Sequence, residues 1–293
     1  MRRKILLSTI GLLIMSQANS ENNQALEKKD PFSFEASYIG DYVGNMYGGI
    51  KTGTAYLGMG NIKVGFDTES ANMWKGGSFF INGANIHGES PTDKLVGDFQ
   101  VISNIDGGEH TYMHELWYNQ TFKNFEFTIG LQDLNATFAS TENGAMYINS
   151  SFGIPPVISD NVPVPIFPLT GLGLSTKWNL TENFSWSGAL FDGCPSDFEK
   201  NKYNLKWNLN DEEGLLLITE IQLNKKNNKL SGSYKAGYYY HTGFSERNEE
   251  TGISSSVFNH NYGLYVIIDQ TIMKNSKNKK IDFFSQIAIS PSK

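Results

Sequence analysis

The segment Phe125-Glu126-Phe127-Thr128-Ile129-Gly130-Leu131-Gln132 alternates strictly between two kinds of position. Its odd-numbered residues are apolar, and its even-numbered residues are polar or glycine. Before it, Lys123-Asn124 forms a two-residue connection to residues 111–122, which alternate in the same way with Gln120 as an exception. Successive side chains of a strand point to opposite faces, so the pattern predicts an antiparallel hairpin with one apolar and one polar face.

The two faces of this hairpin extend along the whole first strand. The predicted apolar face carries Tyr112, His114, Leu116 and Tyr118. The opposite face carries a carboxylate, an indole and an amide on the first strand and a second carboxylate on the second, at Glu115, Trp117, Asn119 and Glu126.

Similar alternation predicts further hairpins along the chain. One joins residues 55–59 to residues 62–66 across Gly60-Asn61, and one joins residues 172–178 to residues 184–190 across Thr181-Glu182-Asn183. A third joins residues 203–209 to residues 215–223 across residues 210–214. Phe258, Tyr262, Leu264, Val266 and Ile268 form another apolar face, and helical periodicity is weak and confined to residues 24–29. About a dozen strands are expected.

Two all-β architectures fit this pattern. In a soluble sandwich the apolar faces form a dry core, whereas in a transmembrane antiparallel β-barrel they face lipid and the polar faces line water. Aromatic residues beside the short turns favour the barrel, because such residues form girdles at membrane interfaces: Phe122, Phe125, Trp178, Phe184 and Trp207.

The N-terminus and the charge limit the class of protein. Residues 1–20 contain three basic residues, an apolar run and small residues at Ala18-Asn19-Ser20, which together predict a secretory signal peptide. Its removal leaves 21 basic and 30 acidic residues, a net charge of −9, which disfavours a nucleic-acid partner. Arg247 is then the only arginine, and the single cysteine, Cys194, has no partner for an intrachain disulfide.

Several stretches, taken in order, resemble the carbohydrate-selective porins of the outer-membrane porin B type. They are Tyr47-Gly48-Gly49 with Trp74-Lys75-Gly76-Gly77, Gly97-Asp98-Phe99-Gln100, Glu115-Leu116-Trp117-Tyr118-Asn119-Gln120, Phe191-Asp192-Gly193, Gly232-Ser233-Tyr234-Lys235-Ala236-Gly237 and Tyr262-Gly263-Leu264-Tyr265. The resemblance covers nearly the whole chain after residue 20. It implies a sixteen-stranded barrel in the outer membrane of a Gram-negative bacterium, in contact with its lipid, and a homotrimer.

The chain departs from this family in two ways. It stops at Lys293 without an aromatic closing strand, so residues 21–293 are expected to form a barrel domain truncated before closure. A fragment, a damaged gene product and a smaller closed barrel are the alternatives. Because Arg247 alone remains, a cationic sugar-binding group elsewhere must be lysine.

The resemblance implies mono- or oligosaccharides in transit through the pore. Aromatic faces pack against pyranose rings, and carboxylates and amides bind hydroxyl groups. The candidate pore-lining residues are Glu115, Trp117, Asn119, Glu126, Lys206, Glu220, Tyr239 and Asp269. Each could equally be an ordinary wall residue in contact with water. Five prolines within residues 153–168 predict a stiff, non-strand insertion, which either narrows the pore or packs on the surface.

No catalytic or cofactor site is predicted. His110 and His114 lie four residues apart on a predicted strand, which is too far for one metal ion without further ligands, and no Gly-x-Ser-x-Gly motif occurs. The functional expectation is passive, carbohydrate-selective diffusion without a cofactor. The alternatives are a soluble or surface sugar-binding β protein and a non-functional porin remnant.

Overall fold

The computed structural model describes residues 30–207, 209, 213–225, 230–247, 254–275 and 279–291. The predicted signal peptide, the weak helical stretch at residues 24–29 and most of the connection at residues 210–214 lie outside these ranges. Within the part of the chain that the structure describes, no helix is long and apolar enough to span a membrane.

In the described ranges, thirteen strands make up nearly all of the regular structure. They are β1 (Phe32–Asn45), β2 (Gly53–Asp67), β3 (Gly77–Gly88), β4 (His110–Phe122), β5 (Phe125–Gln132), β6 (Gly171–Asn179), β7 (Phe184–Asp192), β8 (Leu215–Lys225), β9 (Gly232–His241), β10 (Phe244–Arg247), β11 (Ser254–Phe258), β12 (Asn261–Lys274) and β13 (Lys280–Ile289). Eleven of them form one antiparallel sheet in chain order, and β10 and β11 form a separate ribbon between β9 and β12. The all-β prediction is confirmed.

The connections divide the sheet into a short-turn end and a long-loop end. At the short-turn end, residues 123–124 and 180–183 join neighbouring strands, and the predicted hairpins of β4 with β5 and β6 with β7 are confirmed. At the long-loop end, residues 89–109, 133–170 and 193–214 make the connections. Among the described residues, β1 pairs only with β2 and β13 only with β12, so the sheet is open at both edges.

Residues 133–170 form an insertion that lies against one face of the sheet, which we call the inner face. Three short 3-10 turns (Leu134–Ala136, Gly144–Met146 and Ser150–Phe152) and helix α1 (Pro156–Ser159) shape it. Prolines interrupt strand pairing, which explains why a polypeptide this long leaves the sheet. Apolar side chains of the insertion form the main core with residues of β7, β8, β9 and β12: Leu134, Phe138, Ile158, Phe191, Leu216, Ile218, Tyr239, Tyr265 and Ile267. The proline-rich segment therefore packs against the sheet, and its narrowing of a pore stays a prediction.

The predicted turn at Gly60-Asn61 is wrong, because β2 runs through it without a break. Leu57 is 2% exposed on the inner face, whereas Ile62 is 67% exposed on the outer face. Odd and even positions of one strand point in opposite directions. The shift of the apolar residues from odd to even positions therefore marks a change from a packed inner face to an exposed outer face within a single strand.

The predicted strand at residues 203–209 is also wrong where the structure describes it, at residues 203–207 and 209. Asn201 closes a loop there, since its Oδ1 accepts hydrogen bonds from the backbone N–H groups of Leu205 (3.0 Å) and Lys206 (3.1 Å). Asn204 donates to the Met113 carbonyl (3.2 Å), and Met113 N–H donates to the Tyr203 carbonyl (3.0 Å). The loop thus bonds to the part of β4 that extends beyond its pairing with β5.

A bulge in β4 overturns the predicted outward position of Tyr112 and His114. Asn82 pairs with Glu115 and Gly83 pairs with Met113, so His114 is the extra residue. One extra residue exchanges the faces of all positions beyond it. Tyr112 and His114 are therefore buried on the inner face, whereas Glu115 keeps its predicted inward direction.

Candidate functional site

Part of the inner face is covered by the insertion, and three of the predicted site residues lie in this covered half. Glu220, on β8, is only 4% exposed. Its Oε2 accepts hydrogen bonds from Ala139 N–H (3.0 Å) and from the Tyr265 hydroxyl (2.9 Å). Lys235 Nζ lies 4.0 Å from Glu220 Oε1 and donates to the Ser140 carbonyl at 2.8 Å. Glu220 and Lys235 therefore hold the start of the insertion against the sheet.

Asp269 and Tyr239 hold the insertion at two further points. Asp269 Oδ1 accepts hydrogen bonds from Thr141 Oγ1 (2.6 Å), Asn143 N–H (3.1 Å) and Asn143 Nδ2 (2.9 Å). The Tyr239 hydroxyl donates to the Val157 carbonyl (2.5 Å). Because these polar groups are occupied by the chain itself, Glu220, Tyr239 and Asp269 position the insertion in this structure.

The inner face of β1 to β6 towards the short-turn end forms an open half, which carries the other wall candidates. Glu115, Trp117 and Asn119 all point inward from β4. The Trp117 indole N–H donates to Glu115 Oε1 at 3.2 Å, and Asn82 donates to Glu115 Oε2 at 3.4 Å. The rings of Phe80 and Trp117 stack with centroids 4.8 Å apart and an interplanar angle of 23°. An aromatic surface is thus fixed beside a carboxylate.

Charged residues continue the open half on both sides of this group. On β5, Glu126 stands directly opposite Lys177 of β6 in the sheet register. On the other side, Lys63 Nζ lies 2.8 Å from Glu35 Oε1. Asn119 donates to Thr128 Oγ1 at 2.9 Å. Charges of both signs therefore line this wall, an arrangement suited to water and to neutral polar solutes.

The structure separates Lys206 from the other candidates and adds residues that the alternation missed. Lys206 is exposed in the loop after β7, away from any strand. Phe80 lies inward, but its neighbour Phe79 is also aromatic, so the sequence offered no means of telling which ring faces inward. The alternation did not predict that Lys63 and Asn82 point inward. The wrongly predicted turn in β2 obscured the direction of Lys63, and the bulge between β3 and β4 obscured that of Asn82.

The family described as "Carbohydrate-selective porin, OprB family" matches residues 51–293. The chain belongs to this family. It is therefore one of the carbohydrate-selective porins of the Gram-negative outer membrane, a family of transport channels, and the predicted family and function are confirmed. No curated protein matches the chain.

Two solved structures share the fold of this porin. The high-pH structure of Pseudomonas putida OprB has a TM-score of 0.77 and 19% sequence identity, over 91% of this chain and 67% of that chain. The low-pH structure of the same protein has a TM-score of 0.52 and 15% identity, over 90% and 68% of the two chains. At these identities the likeness shows the fold alone. It supports the assignment of the open eleven-stranded sheet to a porin barrel.

Proposed function

We propose that the protein conducts neutral sugars passively across the outer membrane along the open half of its inner face. The observation that carries this proposal is the Phe80–Trp117 stack beside Glu115, on a wall that the insertion leaves open. The apolar side of a pyranose packs on an aromatic ring, and a carboxylate accepts hydrogen bonds from its hydroxyl groups. Asn119 and Glu126 extend this polar wall, and no energy source or cofactor is needed.

The outer face of the sheet supports contact with membrane lipid. Leu217, Ile221, Val266 and Ile287 point outward from β8, β12 and β13, and each is between 44% and 69% exposed. So much apolar surface on a protein in water would drive aggregation, whereas lipid accommodates it. In a membrane the free edges of β1 and β13 also need partners, because unpaired backbone groups cost several kcal/mol in hydrocarbon. Further strands or direct pairing of the two edges would supply them.

We also propose the processing, the assembly and the orientation in the membrane that the resemblance implies. Residues 1–20 act as a signal peptide, and residues 21–293 belong to the barrel domain. Three copies assemble, which the mass of the detergent-solubilised protein tests. The long-loop end faces the cell exterior, because outer-membrane barrels place their long loops on the extracellular side and their short turns in the periplasm.

Proteoliposome swelling in isosmotic glucose tests the channel. The natural chain should make liposomes swell, and Trp117→Ala should reduce the initial rate about threefold to tenfold at low glucose concentration, the equivalent of one aromatic contact. Trp178→Ala is the matched control, because it removes an indole from the outer face. Absence of swelling with the natural chain, or an equal loss in both variants, would contradict the proposal.

A further inference from the structure

A cavity of about 510 Å³ lies at the long-loop end, between the loop that joins β3 to β4 and the insertion. Its size falls in the usual range of small-molecule sites, roughly 300–1,000 Å³. It is separate from the Phe80–Trp117 stack, since neither of those residues lines it.

The loop side of this cavity is fixed in place. Ser103 Oγ donates to Asp41 Oδ2 of β1 at 2.7 Å, and both residues are buried. Asn104 N–H donates to the Ile148 carbonyl of the insertion at 2.7 Å. The loop is therefore bonded to the sheet on one side and to the insertion on the other, so the cavity is preformed.

The lining of the cavity is polar and aromatic but not cationic. Among the described lining residues there is no lysine, arginine or histidine. Phe99 stands over the cavity with 85% of its surface exposed, and Gln100 beside it has no hydrogen bond within the described part of the chain. Asn135 donates both of its amide hydrogens to the carbonyls of Phe138 (3.1 Å) and Ala139 (3.3 Å), which leaves its Oδ1 as an acceptor.

Asp133 links the cavity to the wall of the channel. It lines the cavity and accepts a hydrogen bond from Asn135 N–H at 2.8 Å. Burial raises the pKa of its carboxyl to about 7, and the negative charge of Glu115 adds to this shift. The Asp133 carboxyl at the cavity is therefore close enough to Glu115, which accepts a hydrogen bond from Trp117, for their charges to interact.

We propose that this cavity is a second carbohydrate site, which binds a neutral pyranose before it reaches the Phe80–Trp117 stack. Phe99 supplies an aromatic surface for the ring, and Gln100, Asn135 and Asp133 supply hydrogen-bonding groups for the hydroxyls. Phosphorylated or otherwise anionic sugars are disfavoured, because two aspartates and no cation line the site. The proposal rests on the sugar channel proposed above and adds an entry site to it.

Protection of an introduced cysteine tests occupancy of this cavity directly. Ala145 is exposed and lines the cavity, whereas Ala136 is exposed on the same insertion but outside it. Ala145→Cys and Ala136→Cys are each made with Cys194→Ser, and modification by N-ethylmaleimide is timed with glucose, with sorbitol or without either. Sorbitol is the control ligand, since it has hydroxyl groups but no ring to stack on Phe99.

Glucose should slow modification of Ala145→Cys at least threefold, whereas sorbitol should not, and Ala136→Cys should respond to neither. Adding Phe99→Ala to the Ala145→Cys variant should raise the glucose concentration that gives half-protection of the introduced cysteine about threefold to tenfold, the equivalent of one aromatic contact. Adding Tyr47→Ala, which removes another exposed loop aromatic, should leave it unchanged. Equal rates with and without glucose, or equal protection by glucose and by sorbitol, would overturn the second site. Swelling of liposomes by the natural chain would still support the channel in that case.

Discussion

Asp133 is the first residue after β5, where the chain turns from the sheet into the insertion. Its folded pKa of about 7 exceeds its ordinary value of 3.8 because the carboxyl is buried. Between pH 4 and pH 7 the folded protein therefore keeps a proton that the unfolded chain has lost. The stability of the fold should fall as the pH rises through this window and become level above it.

Asp133→Asn should remove this fall, because an amide does not titrate but still accepts the bond from Asn135 N–H. We expect the variant to be more stable than the natural chain at pH 8 by about 1–3 kcal/mol, with little difference at pH 4. Free energies of unfolding from urea titrations in detergent at both pH values measure this. Because the two proteins differ only at Asp133, identical pH slopes would mean that Asp133 is not the group responsible.

Gly130 allows the close approach of β4 and β5 beneath Trp117. Its φ is +136°, and an added Cβ would collide with the Leu116 carbonyl. We expect Gly130→Ala to cost about 2–3 kcal/mol in unfolding free energy and to reduce glucose-driven swelling by displacing Trp117. Gly83→Ala is the matched control, because a Cβ there meets no atom within 4 Å. Equal urea midpoints for the two variants would contradict this account.

At the same scale, the alternation predicted which way the wall residues point but not what they touch. Glu115, Trp117, Asn119 and Glu126 point inward as expected, because a two-residue turn fixes the register of their hairpin. The alternation could not predict the directions of Tyr112 and His114, because no residue type in the sequence marks the bulge. The contacts of Glu220 depend on a segment that lies 81 residues away in the sequence.

At the scale of elements, β2 and the insertion show two limits of sequence patterns. The apolar residues of β2 change face midway along the strand. Near the long-loop end they are buried on the inner face, whereas near the short-turn end they are exposed on the outer face. A strand with the same surroundings along its whole length would have kept its apolar residues on one face. The proline content predicted that the insertion leaves the sheet, but its position on β7 to β12 follows from apolar packing and from Glu220, Lys235 and Asp269.

Removing one of these attachments should loosen the insertion. Glu220→Ala leaves Lys235 without its carboxylate and Ala139 N–H without its acceptor, so we expect a loss of about 3 kcal/mol in stability. Residues 133–170 should become more sensitive to protease, and single-channel conductance should rise. Glu182→Ala removes a carboxylate from an exposed turn and is the matched control. Unchanged conductance together with unchanged proteolysis would show that Glu220 does not hold the insertion.

At the scale of the whole molecule, the sheet separates a polar inner wall from an apolar outer one. This division was predictable from composition and alternation, because a chain with no long apolar run can cross a membrane only as strands of alternating character. The open sheet between β1 and β13 was expected from the departure of the chain from the family pattern, not from the resemblance itself. The subdivision of the inner face into covered and open halves was not, since it depends on where the insertion docks.

One charge placed on each face distinguishes a membrane barrel from a soluble sheet. Val266 lies near the middle of β12 on the outer face and is 44% exposed, whereas Thr128 lies on the open half of the inner face. In a barrel, Val266→Lys brings an ammonium into hydrocarbon and should cost about 2–4 kcal/mol, whereas Thr128→Lys reaches water and should cost under about 1 kcal/mol. Folding yields and unfolding free energies in lipid vesicles measure both. A soluble sheet predicts the reverse order, because an exposed valine replaced by lysine gains solubility while a lysine at Thr128 would enter a packed layer.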